Sequence, residues 1–255
     1  MALSEATQTT DPATDPIRQA RIDLAAFHRL AVRFAMDDGI WNHFSLTVPG
    51  RPDLFLVKAH GLLCCEVTAS NLIAVDSAGK TVEGQGIAET SGVCIHAPIH
   101  RGKADAACVL HSHMRYATWL SMIEGGRLMP INQNSLRYYG RISYDDHYNG
   151  LADTPDEGRR MAEVLGDNNV LILANHGVIV TGPTVAEAFY DLYYLELCCK
   201  EQFTIVSSGA EPRLIPQDVV ALTQSQFAGF DDPAAELFFD ALKRRLDLEE
   251  PDYRD

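Results

Sequence analysis

The sequence predicts a layered α/β domain built around a central sheet. Three observations carry that expectation: helix-spaced apolar residues behind well-formed N-caps, short apolar or alternating runs bounded by turn residues, and the interleaving of the two along the chain. With 255 residues, 46% of them hydrophobic and 22% charged, the chain suits one large domain and excludes disordered, collagen-like and coiled-coil proteins.

Asp15-Pro16 offers an N-cap with proline at the first helical position. Ile17, Ala20, Leu24, Phe27, Leu30, Ala31 and Phe34 then keep a helical period, which predicts a helix up to Asp38-Gly39. Phe44–Val48, Leu54–Val57, Leu72–Val75 and Thr81-Val82 have the length and composition of strands, with a turn at Ser77-Ala78-Gly79-Lys80. Ala106–His113 is a further strand leading into a helical segment, Arg115–Ile123. Thr154-Pro155-Asp156-Glu157 is a capping box that starts a helix running to Gly166. Val170–Ala174 is a buried strand that turns at Asn175-His176-Gly177 into Val178–Val180. Thr184-Val185-Ala186-Glu187 repeats the capping-box spacing ahead of a long apolar helix reaching Val206. Residues 208–255 form a C-terminal extension, looser at first, with a terminal helix after Pro233 and an acidic tail, Glu249–Asp255. The main domain is expected over 15–207, behind a mobile tail at 1–14.

Against 35 acidic residues stand 21 basic ones, a net charge of −14, which repels a phosphate backbone or an anionic membrane surface. Any anionic ligand must therefore be held by a local site. The six cysteines show no CxxC spacing, and two pairs are neighbours within apolar runs, as expected for reduced, mostly buried thiols in a cytoplasmic protein. No apolar stretch approaches the ~20 residues of a membrane-spanning helix.

The chemistry is concentrated in Val109-Leu110-His111-Ser112-His113. In a strand, His111 and His113 project from one face and aim two imidazoles at one spot. A divalent ion needs at least a third ligand, and a catalytic one leaves a position open for substrate or water. His176 is the best candidate, because it follows a buried strand and precedes Gly177, where the backbone can turn. The other six histidines lack such a setting. An HxH pair alone also occurs on strands with no metal, and HxH with a distant histidine occurs in some all-β zinc lyases. The capped helices argue against that architecture.

The span from Asp105 to Gln202 contains VLHSH, ANHG with 62 residues between His113 and His176, and TVAEAFYDLYYLE, and it resembles the class II aldolase/adducin family. Trp41-Asn42-His43-Phe44-Ser45, Ala59-His60-Gly61, Val75-Asp76 and Glu83-Gly84 extend the resemblance to roughly residues 20–207, and Tyr138-Tyr139-Gly140 is similar to its adducin-like branch. The resemblance implies a three-layer α/β/α fold with a central, mainly antiparallel sheet, and a divalent metal held by His111, His113 and His176. Zn is the first expectation for three imidazoles, with Mn, Fe, Co or Ni as alternatives. It also implies a homotetramer with active sites between subunits, and an anionic substrate held near Asn42, His60-Gly61, Thr90 and Ser91. Thr90 is equally an ordinary N-cap, Asn42 a turn residue, and His60 either a favourable charge or a narrowing of the pocket.

In the sugar-phosphate aldolases of this family, a hydroxyl motif upstream of the metal histidines ends in a catalytic Glu or Asp. Here the matching stretch is Thr90-Ser91-Gly92, and glycine cannot exchange a proton. Glu89, Tyr144 and His147 are the candidates for the lost acid, each weighed against an ordinary surface or packing role. The expected function is a divalent-metal-dependent lyase, of decarboxylase or aldolase type, acting on a small oxygenated carboxylate or sugar acid. Decarboxylation suits the missing acid better. The alternative is a non-enzymatic, adducin-like interaction module, which would have no need for three converging imidazoles.

Overall fold

Asp15 caps the first helix as its spacing predicts, its carboxylate accepting from the Ile17 N–H at 2.9 Å. The computed structural model describes residues 15–255, so the tail expected at 1–14 lies outside the described residues. The first helix, α1 (Pro16–Arg33), stops short of Gly39. Ala35 takes a positive φ of 54°, and the Met36 N–H closes back onto the Ala31 carbonyl, a cap that places Met36 in the core. That buried methionine, rather than the later glycine, ends the helix.

A meander follows: β1 (His43–Val48), β2 (Arg51–Lys58), β3 (Leu72–Asp76) and β4 (Thr81–Glu83). Then come α2 (Thr90–Gly102), β5 (Cys108–Ser112), α3 (Arg115–Ser121), β6 (Ile142–Asp145) and α4 (Pro155–Leu165). The chain continues through β7 (Val170–Leu173), β8 (Gly177–Gly182), α5 (Val185–Ser207), α6 (Gln217–Phe227) and α7 (Asp231–Glu249). Thr154 and Thr184 cap α4 and α5 by accepting from the N–H groups of Glu157 and Glu187.

The eight strands lie in the order β4-β3-β2-β1-β5-β8-β7-β6, antiparallel throughout except for β6, which runs parallel to β7. Strand alternation sends Leu46, Leu110, Val178 and Val180 into a core shared with α1, α5 and α7. Their neighbours Val109, Leu171 and Ile179 meet Ile95 and Ile99 of α2 and Met161 and Leu165 of α4 on the other face. The result is a three-layer α/β/α sandwich.

Three features depart from the sequence expectation. The stretch Ile142–Asp145, to which the sequence assigns no element, is a strand that pairs with β7. The stretch thought loose contains α6, whose Val220 and Phe227 bury against Leu136. The C-terminal residues are no free acidic tail: Pro251–Arg254 forms a 3-10 turn, Tyr253 is fully buried, and its carbonyl accepts from the Ala69 N–H at 2.9 Å.

Candidate metal and substrate site

The site lies where β5 and β7 end and β1 and β8 begin, all at one end of the central strands. His111 is the last but one residue of β5, and His113 lies just beyond the strand on the way into α3. His176 is carried by the β7–β8 turn. There the positive φ belongs to Asn175, at 56°, rather than to Gly177. Gly177 is required for close approach, since a Cβ would stand 2.6 Å from the Ser112 carbonyl oxygen and 3.0 Å from the His113 ring. The turn can thus lay His176 against the other two rings. One nitrogen from each of the three histidines lies within 4.8 Å of the others.

Hydrogen bonds determine how the rings are protonated. Nδ1 of His111 lies 3.1 Å from the Val178 carbonyl, which can only accept, so it carries the hydrogen. Nδ1 of His113 lies 3.0 Å from the Asp38 carboxylate and likewise donates. The two Nε2 atoms face each other at 3.1 Å, each with a lone pair. Two lone pairs at that distance repel unless a cation lies between or beside them, so the donor set fits a divalent ion. Burial, then the neighbouring histidines, lowers the pKa of His111, and burial followed by His113 brings His176 to about 4. Both are neutral near pH 7, as ligands must be.

The surroundings hold this end rigid. The Asn42 side chain donates to the Met36 carbonyl at 2.8 Å and accepts from the His113 N–H at 3.3 Å, tying β1 to the metal loop. Glu196 of α5 accepts from the Tyr116 and Ala117 N–H groups and so caps α3 directly behind His113. Lys58 is buried, its ammonium bound to the carbonyls of Ile40 and Leu62. Asp38, Lys58 and Glu196 give no spacing signal in the sequence, because each acts through contacts between distant segments.

Glu89 and Ser91 stand close to His43, whose ring stacks on that of His111, while Thr90 is exposed. The cap of α2 is Glu89 rather than Thr90: its Oε2 accepts from the Gly92 N–H at 2.7 Å and from the Ser91 hydroxyl at 2.5 Å. Burial raises the Glu89 pKa, but these hydrogen bonds outweigh it and hold the group below the ordinary carboxylate value. The helix end expected to receive an anion is therefore occupied in part by the protein's own carboxylate. His60 and Gly61 are exposed at the end of β2, with His60 beside Trp41 at a ring separation of 6.0 Å.

Tyr144 and His147 belong to another part of this end of the sheet. Tyr144 lies on β6, separated from His111's strand by β7 and β8, and accepts from the Leu128 N–H at 3.1 Å. It lines a cleft of about 300 Å³ with Ser121, Arg127, Asp146 and Asn175, adjoining the turn that carries His176. His147 is exposed and lines none of this cleft.

A three-layer sandwich with histidines converging at the ends of its central strands defines the class: an aldolase-like α/β/α protein. The chain belongs to the family described as Class II Aldolase and Adducin N-terminal domain, whose model matches residues 22–203. An aldolase II superfamily protein from Pseudomonas syringae is similar over 97% of this chain and 98% of its own, with 36% identity and a TM-score of 0.88. An L-fuculose 1-phosphate aldolase from Glaciozyma antarctica shares the fold at a TM-score of 0.82 and 22% identity, covering 98% of this chain and 97% of its own. Rat alpha-adducin is 34% identical over 203 residues, which are 78% of this chain and 27% of that protein. Among the described residues no helix is long and apolar enough to cross a membrane.

Proposed function

We propose that the protein is a divalent-metal-dependent carbon–carbon lyase acting on a small oxygenated carboxylate or sugar acid. The observation that carries this reading is the facing pair of Nε2 lone pairs on His111 and His113, with His176 beside them. These three histidines would hold the ion, zinc first and Mn, Fe, Co or Ni as alternatives. When bound, such an ion polarises a substrate oxygen and stabilises the negative charge left by bond cleavage. Asp38 and the Val178 carbonyl orient the rings, and the Asn42 amide holds the backbone of His113 in place. Gly92 offers no proton, and Glu89, already accepting two hydrogen bonds, is ionised. Loss of CO2 needs no base for its first step, so decarboxylation fits the missing side chain at 92 better than aldol cleavage, for which the ionised Glu89 is the remaining base.

Elemental analysis of gently purified protein is expected to find one divalent ion per chain, and His113→Ala to lose most of it. Full retention in the variant would refute the assignment. A screen of hydroxy- and keto-acids for CO2 or carbonyl release then tests the reaction class. The likeness to adducin favours a second reading, an interaction module, which predicts neither metal nor turnover. We further propose a cytoplasmic homotetramer with the site at a subunit boundary. Exposed apolar side chains beside the site, Trp119, Met122, Ile123 and Phe203, support an interface there. A monomer at micromolar concentration in light scattering would contradict it.

A further inference from the structure

Behind the metal histidines runs a second line of histidines. His43 on β1 pairs across the sheet with His111 on β5, and their rings stack at 4.8 Å. Nδ1 of His43 meets Nε2 of His96 at 2.9 Å, and Nδ1 of His96 meets the Ser45 hydroxyl at 2.5 Å. The same hydroxyl meets Nε2 of His100 at 2.7 Å, and Nδ1 of His100 reaches the Ala106 carbonyl at 2.8 Å. His96 and His100 lie one turn apart on α2, facing the sheet.

The Ala106 carbonyl can only accept, and that settles every link. His100 must donate from Nδ1, so its Nε2 accepts from Ser45. Ser45 must then accept from Nδ1 of His96, whose Nε2 accepts from Nδ1 of His43. The chain ends with a bare lone pair on Nε2 of His43. That atom lies 3.5 Å from the Ser91 hydroxyl oxygen and 3.9 Å from Oε2 of Glu89. The Ser91 hydrogen is already given to Glu89. Three acceptors therefore converge with no donor among them, an arrangement that costs free energy until a donor arrives.

The position is equally telling. A Cβ on Gly92 would stand 3.0 to 3.3 Å from the His43 ring, so that imidazole fills the space a side chain at 92 would take. We propose that His43 is a substrate-contacting residue, its Nε2 accepting, with Glu89 and Ser91, the hydrogen of a substrate hydroxyl beside the metal. His96, Ser45 and His100 are positioning residues that lock its tautomer. The His43 side chain is only 4% exposed and that of Glu89 16%, so the donor that reaches them must be a small group. This rests on the metal-site reading above, and specifies its substrate as an acid with a hydroxyl beyond the metal-chelating pair.

The test is nitrogen NMR of 15N-histidine-labelled, zinc-loaded protein at neutral pH. His43 is expected as the Nδ1–H tautomer, and Ser45→Ala should let it mix tautomers. Titration with glycerate should shift its Nε2, whereas lactate, which lacks the second hydroxyl, should not. Glycerate should bind roughly three- to tenfold more tightly than lactate, the worth of one neutral hydrogen bond, and His43→Phe should abolish that ratio. A protonated Nε2 in the free protein, or no shift with glycerate because a bound water alone supplies the donor, would overturn the proposal. Failure to load zinc would instead defeat the metal reading, while the tautomer measurement in wild-type protein still decides the locked chain.

Discussion

Position 92 carries no side chain, where the resemblance to the sugar-phosphate aldolases leads one to expect an acid. The absence of an acid was legible in the sequence, since glycine has no proton to exchange. What fills the space was not, because His43 comes from another strand and meets Gly92 only through the packing of α2 on the sheet. On sequence grounds alone, Gly92→Glu is a route to aldolase activity. With the His43 ring 3.0 Å from the site of a new Cβ, the substitution must displace a buried, hydrogen-bonded imidazole. Overpacking of this kind costs about 1–3 kcal/mol. Gly92→Glu is therefore expected to lower the thermal midpoint and gain no sugar-phosphate cleavage, while adding His43→Ala recovers much of the stability. An unperturbed midpoint in the single variant would show that the ring moves freely.

The β7–β8 turn poses the same question at the scale of an element. Its strands were legible as short apolar runs, and α4 and α5 were legible through their capping boxes, because cap and helix lie within four residues of each other. The true end of α1, the parallel strand β6 and helix α6 were not. Met36 draws the chain inward at the first, β7 supplies the pairing for the second, and Leu136 supplies the apolar partner for the third. All three are tertiary effects with no local sequence signal. In the turn itself, Asn175 takes the left-handed conformation and Gly177 permits contact with Ser112 and His113. Gly177→Ala should push the turn away from β5, costing about 1–3 kcal/mol and moving His176 out of reach of its partners. Thermal melts and metal content should fall together. A variant that loses stability yet keeps its metal would show that the turn does not govern the ligand geometry.

At the scale of the whole molecule, the core is unusually rich in neutral histidine, and acid stability should show it. Burial lowers His28 to about 3 and His100 to about 4, against 6.5 when exposed. Between those values the unfolded chain binds protons that the folded chain refuses. Stability is therefore complete above about pH 6.5 and lost progressively as pH falls toward 3–4. Each such group contributes a slope of about 1.4 kcal/mol per pH unit inside its window. Carboxylates held by arginines, such as Glu157 by Arg160 and Asp146 by Arg127, add to the loss only near and below their ordinary values of 4.5 and 3.8. From pH 7 to 5 the histidines therefore drive the loss, opposed by the buried carboxyls of Glu187, Asp191 and Glu196, whose burial raises their pKa and makes them favour folding as pH falls. Urea unfolding across this range should show a clear fall in midpoint. His28 gives the decisive control: it packs among Phe27 and Phe44, its Nδ1 bonds the Leu24 carbonyl within its own helix, and its Nε2 has no partner among the described residues. His28→Leu should retain the packing, remove one titrating group, and flatten the dependence by about 1.4 kcal/mol per pH unit. An unchanged slope in that variant would mean His28 takes up its proton without unfolding the protein.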